Sequence, residues 1–227
     1  MRFWSLPGFV SYDEAREFQK ALVDQRAADE IPDTILFLEH KPVITRGRGL
    51  QFTGEIRARH MPMPIQLPPG IAFAESERGG DLTYHGPGQL VVYPIVKLDG
   101  KGWAPHHDVT GFLRRFEQIF IDELASMGLT ADARSGAAGV WVGDKKVASI
   151  GIAVRKWVTY HGIAINVVND LSPFNIFSPC GFASEVMTRL SDLVPGFEKD
   201  GWRERLEKGI AGRVEVGAKV ERRSLIF

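Results

Sequence analysis

The chain has one cysteine among its 227 residues, Cys180, so it cannot close an internal disulfide. A reducing, cytoplasmic setting is therefore expected. Net charge is also missing: 28 Lys plus Arg balance 28 Asp plus Glu. Without a global positive field, nucleic acid is not an expected partner. No apolar run approaches the ~18 residues of a membrane span. The first residues, MRFWSLPGFVSYDEAREF, show no secretory leader pattern. Metal-ligand spacing is absent too, because there is no cysteine pair and His106 and His107 are adjacent rather than one helical turn apart. Neither a phosphate loop, a dinucleotide glycine motif nor a Gly-x-Ser-x-Gly nucleophile elbow occurs. No metal and no cofactor are expected, and a monomer is.

What is present suffices for a sizeable core: 44% of residues are hydrophobic and 10% aromatic. SYDE at 11–14 is a capping box, predicting a helix that buries Ala15, Phe18 and Leu22. TILFLEH (34–40) reads as a buried strand. Residues 41–70 are rich in Gly, Pro and Arg, and MPMPIQLPPG forbids a helix, so a long loop is expected there. IAFAES, DLTYHG and GQLVVYPIV read as strands. The spacing of Val109, Phe112, Leu113, Phe116, Ile119, Phe120 and Leu124 draws one helical stripe. Residues 139–168 predict three strands joined by turns at Gly143-Asp144 and Arg155-Lys156. Helices are predicted after Ser184 and over 197–212, then a short strand or tail. With no linker, repeat or low-complexity segment, this is one α+β domain, residues 1–227.

Several places carry chemistry. Cys180 lies in SPCGF, where Pro179 stops a helix and Gly181 frees the backbone. It reads as a buried small hydrophobe or as a reactive thiol on a loop tip. Lys145 and Lys146 enter an apolar strand, and alternation sends them to opposite faces. Either both are solvated at a hairpin end, or one is carried inward, where an ammonium needs a partner or a task. Gly151 and Gly162 notch neighbouring strands, either as a groove for an apolar ligand or as a bulge. Residues 41–60 carry Lys41, Arg46, Arg48, Arg57 and Arg59 against Glu55 alone. That run is a solvated loop or a local basic patch.

Three ordered segments resemble one family. RGGDLTYHGPGQLVVYP (78–94) is similar to the signature of the lipoyl(octanoyl) transferases. GDKKVASIGIAVRKWVTYHGIAINV (143–167) resembles the family's Lys-x-Ala-x-Ile-Gly and His-Gly-x-Ala-x-Asn segments. LSPFNIFSPCGFASEVMT (171–188) resembles its active-cysteine segment. The resemblance spans about residues 34–190. It carries little of the start, the tail and the loop at 49–74. It implies a mixed β-sheet flanked by helices, like the catalytic domain of biotin protein ligases and lipoate ligases. It implies transfer of an octanoyl chain from acyl carrier protein to a lysine of lipoyl domains, those of the 2-oxoacid dehydrogenase acyltransferase subunits and the glycine cleavage H protein. By position, Cys180 is the acyl-thioester nucleophile and Lys146 its activating partner. The implied substrate-binding residues are Arg78, Gly79, Gly80, Asp81, Leu82, Thr83, Tyr84, His85, Ser149, Ile150, Gly151, Gly162, Ile163 and Ala164. Two other readings are an ATP-dependent lipoate or biotin ligase on the same fold, which needs no cysteine, and a non-catalytic acyl-carrier-binding protein.

Overall fold

The structure is a computed structural model that describes residues 1–49, 67–101, 104–177 and 184–225. β1 (Arg2–Val10) leads into α1 (Tyr12–Ala27). Ser11 caps α1 with the predicted box: its hydroxyl accepts from the Glu14 amide and the Glu14 carboxylate accepts from the Ser11 amide. β2 (Thr34–His40) and β3 (Val43–Arg46) follow, then β4 (Ala72–Glu75), β5 (Leu82–His85) and β6 (Gln89–Ile95). α2 (Val109–Ser126) carries the predicted stripe. β7 (Ala131–Ala133), β8 (Gly139–Val142), β9 (Lys145–Arg155) and β10 (Val158–Asn166) come next. The chain closes with a 3-10 turn (Ser172–Ile176), a second (Ser184–Val186), α3 (Leu190–Leu193), α4 (Trp202–Val214) and β11 (Val220–Arg222).

The large sheet runs β11-β1-β2-β6-β10-β9-β8-β7, with β11, β1 and β2 parallel and the remaining pairs antiparallel. Both faces of its centre are covered, which is why these strands read as continuous apolar runs. Ile35, Phe37, Leu90 and Val92 face α2 and α4, whereas Leu36, Leu38, Val91 and Tyr93 face the α1 side. Phe112, Phe116 and Phe120 of α2 are fully buried in the first layer, and each such ring contributes about 1.5–3 kcal/mol by burial. A small sheet, β4-β3-β5, packs with the 3-10 turn at Ser172–Ile176 around Ile44, Tyr84 and Phe174. No helix among the described residues is long and apolar enough to cross a membrane.

Several expectations are corrected. The stretch from 41 is not all loop, since Val43–Arg46 pairs with both β4 and β5. No continuous helix follows Ser184. Met187 instead bridges to Lys146, and the Thr188 amide donates to the Lys146 carbonyl at 3.0 Å, so a strand-like contact overrides helix propensity there. The final helix begins at Trp202, after Gly201 with φ +64°. The turn between β9 and β10 is Lys156-Trp157, one residue later than expected, and both residues have positive φ (52° and 59°). That is the twist-matched two-residue hairpin turn, here made without glycine. Pro94 sits in a central strand without a ladder amide to give. The Thr159 hydroxyl donates to its carbonyl (2.7 Å), and the His161 amide goes to Gln19 Oε1 of α1 instead (2.7 Å).

Candidate active site

The segment 78–94 builds a wall and two turns. Gly86-Pro87-Gly88-Gln89 is a turn with Pro at its second position and Gly88 (φ +84°) at its third, closed by the Gln89 amide to the Gly86 carbonyl at 3.1 Å. Glu39 Oε2 accepts from the Gly88 amide (2.7 Å), and Arg203 of α4 donates to Glu39 Oε1 (3.2 Å). The C-terminal helix thus braces a turn far from it in sequence. Upstream, Arg78 donates to the carbonyls of Thr45 (2.8 Å), Gly79 (3.0 Å) and Asp81 (2.7 Å) and to the Thr45 hydroxyl (2.8 Å). It shapes the 78–81 loop. Residues 47–49 lie along that loop, with the Gly47 amide on Asp81, Arg48 on Arg78 and Gly49 on Gly80, each at 3.0 Å. Side chains at 47 and 49 would collide with the Gly80 carbonyl, which explains the Arg-Gly-Arg-Gly spacing.

Between this segment and the α1 side of the large sheet lies a narrow slot of about 30 Å³. Of the sequence-implied residues, it is lined by Arg78, Gly80, Leu82, Thr83, His85, Lys146, Ser149, Ile150, Gly151, Gly162, Ile163 and Ala164. Gly79 and Asp81 line a neighbouring cavity instead. Tyr84 turns to the other face of β5 and packs edge-on against Phe174. Tyr12, Val91 and Tyr93 also line the slot and were not singled out from sequence, and His161, the first residue of the His-Gly-x-Ala-x-Asn segment, lines it too. The signal of the first three was weak: Tyr12 opens a helix, Val91 is one apolar residue among many, and Tyr93 is a polar ring inside an otherwise apolar strand. Gly151 and Gly162 are direct cross-strand partners. The notch at Gly151 is filled by the chain itself, since a Cβ there would lie 2.6 Å from the Gly79 carbonyl. At Gly162 the Val92 carbonyl and the Pro94 ring leave no room for a side chain.

Lys146 is 2% exposed, while Lys145 is exposed and reaches the Glu185 carbonyl at 2.6 Å. The register explains which lysine turns inward. Trp141 pairs with Lys146 but Val140 pairs with Ala148, so Val147 is an extra residue. This bulge puts Lys146 on the face of Ser149 and Gly151 rather than that of Ile152. Its Nζ lies 5.5 Å from the Trp141 ring centroid. Cys180 lies outside the described residues, as do Arg57 and Arg59 of the basic run.

The far end of the slot holds rings with fixed tautomers. His40 Nδ1 donates to the Val10 carbonyl (3.0 Å), so its Nε2 accepts from Tyr93 OH (2.7 Å). Gln89 donates to Tyr84 O and Asn166 Oδ1, so its Oε1 accepts from His85 Nδ1 at 2.8 Å. Asn166 in turn donates to the Thr188 carbonyl (3.0 Å), tying His85 to the segment that joins Lys146. Burial holds His40 down to about 4, and burial likewise lowers His85 and His161 and raises Tyr93. At neutral pH these imidazoles are therefore neutral, although the Glu77 carboxylate lies 3.5 Å from His161 Nε2 and the Arg78 guanidinium also lines the slot.

A pH dependence follows. His40 takes its proton near 6.5 when unfolded but only near 4 when folded. Its folded value is depressed, so the unfolded state binds more protons below 6.5 and stability is lost as pH falls through that window. The unfolding free energy from urea titration is expected to drop from pH 7 to pH 5 by an amount on the order of 1–2 kcal/mol for His40 alone, and the midpoint with it. A midpoint unchanged over that range would refute it.

Comparison with known proteins agrees with this geometry. The lipoyl protein ligase A/B catalytic domain matches residues 11–211. An octanoyltransferase of Geobacter metallireducens is 41% identical over 82% of this chain and 81% of its own. One of Gloeobacter violaceus is 42% identical over 84% and 80%. Among solved structures, lipoate-protein ligase A bound with ATP superposes with a TM-score of 0.71 at 16% identity, covering 99% of this chain and 90% of that one. A bipartite lipoate protein ligase of Thermoplasma acidophilum gives 0.68 at 18% identity, covering 99% and 88%. At such identities the superpositions establish the α+β fold, as expected from the sequence, while the curated relatives establish kinship. The chain belongs to the octanoyltransferase family of lipoyl protein ligase A/B catalytic domains.

Proposed function

We propose that residues 1–227 act as one catalytic unit that moves an octanoyl group from acyl carrier protein to a lysine of a lipoyl domain through a thioester on Cys180. The observation that carries this reading is the buried Lys146 ammonium at one end of an apolar slot, on a strand hydrogen-bonded to the segment that follows Cys180. An ammonium so placed favours an anion brought beside it. A thiolate brought beside it is stabilised, and a thiol of ordinary pKa ~8.5 gains reactivity at neutral pH.

In the first step the Cys180 thiolate attacks the thioester carbonyl. A new C–S bond forms, the bond to the carrier sulfur breaks, and the carrier thiolate leaves and takes a proton. In the second, the acceptor amine attacks the acyl-enzyme, the C–S bond to Cys180 breaks, and the amine gives up its proton as the amide forms. Thioester exchange is nearly balanced and amide formation runs downhill, so no nucleotide is consumed. The eight-carbon chain offers nothing polar to grip, and burial supplies ~0.8 kcal/mol per CH₂. The slot walls must separate to admit it. Intact mass spectrometry tests the scheme: octanoyl carrier protein without ATP should leave one octanoyl group on the chain, and no adduct would reject it.

The basic run is the proposed docking face for the acidic carrier. Arg46 is already held by both carboxylate oxygens of Glu75, whereas Arg48 is exposed and makes no ion pair among the described residues. Arg48→Glu is expected to raise KM for carrier protein severalfold and flatten its salt dependence, with Arg46→Glu smaller. Equal kinetics over a salt series would remove this face from consideration.

A further inference from the structure

One cavity has no part in the scheme above. β9 has two partners along its outer edge. The β8 ladder ends at Gly139, opposite Ser149, and further on the Gly79 amide donates to the Ile152 carbonyl at 3.0 Å. Between them the edge has no backbone partner among the described residues. Backbone groups alternate along a strand, and Ile152 presents its carbonyl outward. Ile150, two residues earlier, therefore turns its own N–H and C=O toward the same gap. A cavity of about 310 Å³ occupies the gap. Among the described residues it is walled by residues 79–81, residues 136–138, Val109 and Leu113 of α2, and Ile150–Ile152.

The cavity and the slot have Gly80, Ile150 and Gly151 in common in their walls. Its 136–138 wall borders the Lys146 stem. Residues 136–138 run straight into Gly139, where a Cβ would sit 2.7 Å from Lys146 Cε. The Gly139 amide is fixed by Glu117 of α2 at 3.0 Å. On the transferase reading the reacting carbonyl meets Lys146, and a molecule lying in this cavity would approach that point past Gly139.

Two chains must reach that point. The acceptor lysine has a plain methylene stem, which offers nothing to a strand edge. The donor thiol ends a pantetheine arm, a slender extended chain with two amides. An edge presenting one N–H and one C=O between apolar walls suits the amide-bearing chain. The volume lies at the lower end for small-molecule sites. We propose that this cavity binds the pantetheine arm of the thioester donor, laid as an extra strand along β9 at Ile150. The proposal rests on the transferase reading.

The test compares octanoyl-pantetheine with the octanoyl thioester of 2-mercaptoethanol, which lacks both amides. Ala138→Trp and Leu113→Trp fill the cavity from opposite walls. In each folded variant the ratio of acylation rate constants, pantetheine over short thioester, is expected to fall at least tenfold from the wild-type ratio. On the wild type, S-methyl-pantetheine is expected to compete with octanoyl-pantetheine. An intact ratio in both variants, or no competition, overturns the proposal. Slower transfer from acyl-enzyme to lipoyl domain with the ratio intact would give the cavity to the lysine, which also overturns it. Wild type that forms no acyl-enzyme from either thioester would sink the underlying transferase reading instead.

Discussion

Cys180→Ala is expected to abolish the octanoyl adduct and lower kcat/KM by roughly 10⁴-fold or more, because the covalent path disappears with its nucleophile. The fold should survive. The flanking chain is anchored independently: Phe177 is buried with Phe174, and Thr188 is bonded to the Lys146 strand. A far-UV spectrum and melting curve close to wild type, alongside the lost adduct, would place the defect in the chemistry. The variant also separates the transferase from an ATP-dependent ligase on the same fold. A ligase activates the free acid and has no use for this thiol. Retained lipoyl-domain modification by Cys180→Ala with octanoate and ATP would therefore favour the ligase.

Much of the site was legible because each of its parts is a local pattern. Glycine at 80 and 88, where φ is positive, and the Pro87-Gly88 turn can be read directly from residues 78–94. The helix cap at Ser11 and the α2 stripe are equally local. What was not legible depends on register and partner. β1 contains Pro7 and Gly8, and its pairing shifts between Ser5 and Phe9, so its period is broken in sequence although the strand is real. Alternation says that one of Lys145 and Lys146 turns inward, but the bulge at Val147, imposed by β8, puts Lys146 on the slot face. The stretch after Ser184 has helical composition and is drawn into a bridge with Lys146. Gly151 marks a notch correctly, yet only the structure shows that Gly79 fills it and that the open edge lies beside it.

Lys146→Met should produce the second large effect, a loss of roughly 10²–10³-fold in acylation at neutral pH. A positive charge beside a thiol favours its anion, so removing the charge returns Cys180 toward the ordinary thiol value of ~8.5. The direction gives the test its power. Single-turnover acylation by the variant should climb steeply as pH rises toward 9, closing part of the gap, while the wild-type rate is nearly flat over the same range. The two steps then report separately on two roles. A field on the thiol affects acylation and is rescued by alkali. Proton removal from the attacking amine affects deacylation, which would stay slow after the acyl-enzyme has been formed at high pH. Stability should change far less than activity. Lys146 is 2% exposed, with its Nζ against the Trp141 ring. A thioether of similar length keeps that packing, so the variant is expected to stay folded with a cooperative melt. An inactive protein that is also destabilised would recast Lys146 as a structural ion. Normal acylation with an unshifted pH profile would transfer the activating role to Lys145 or His85.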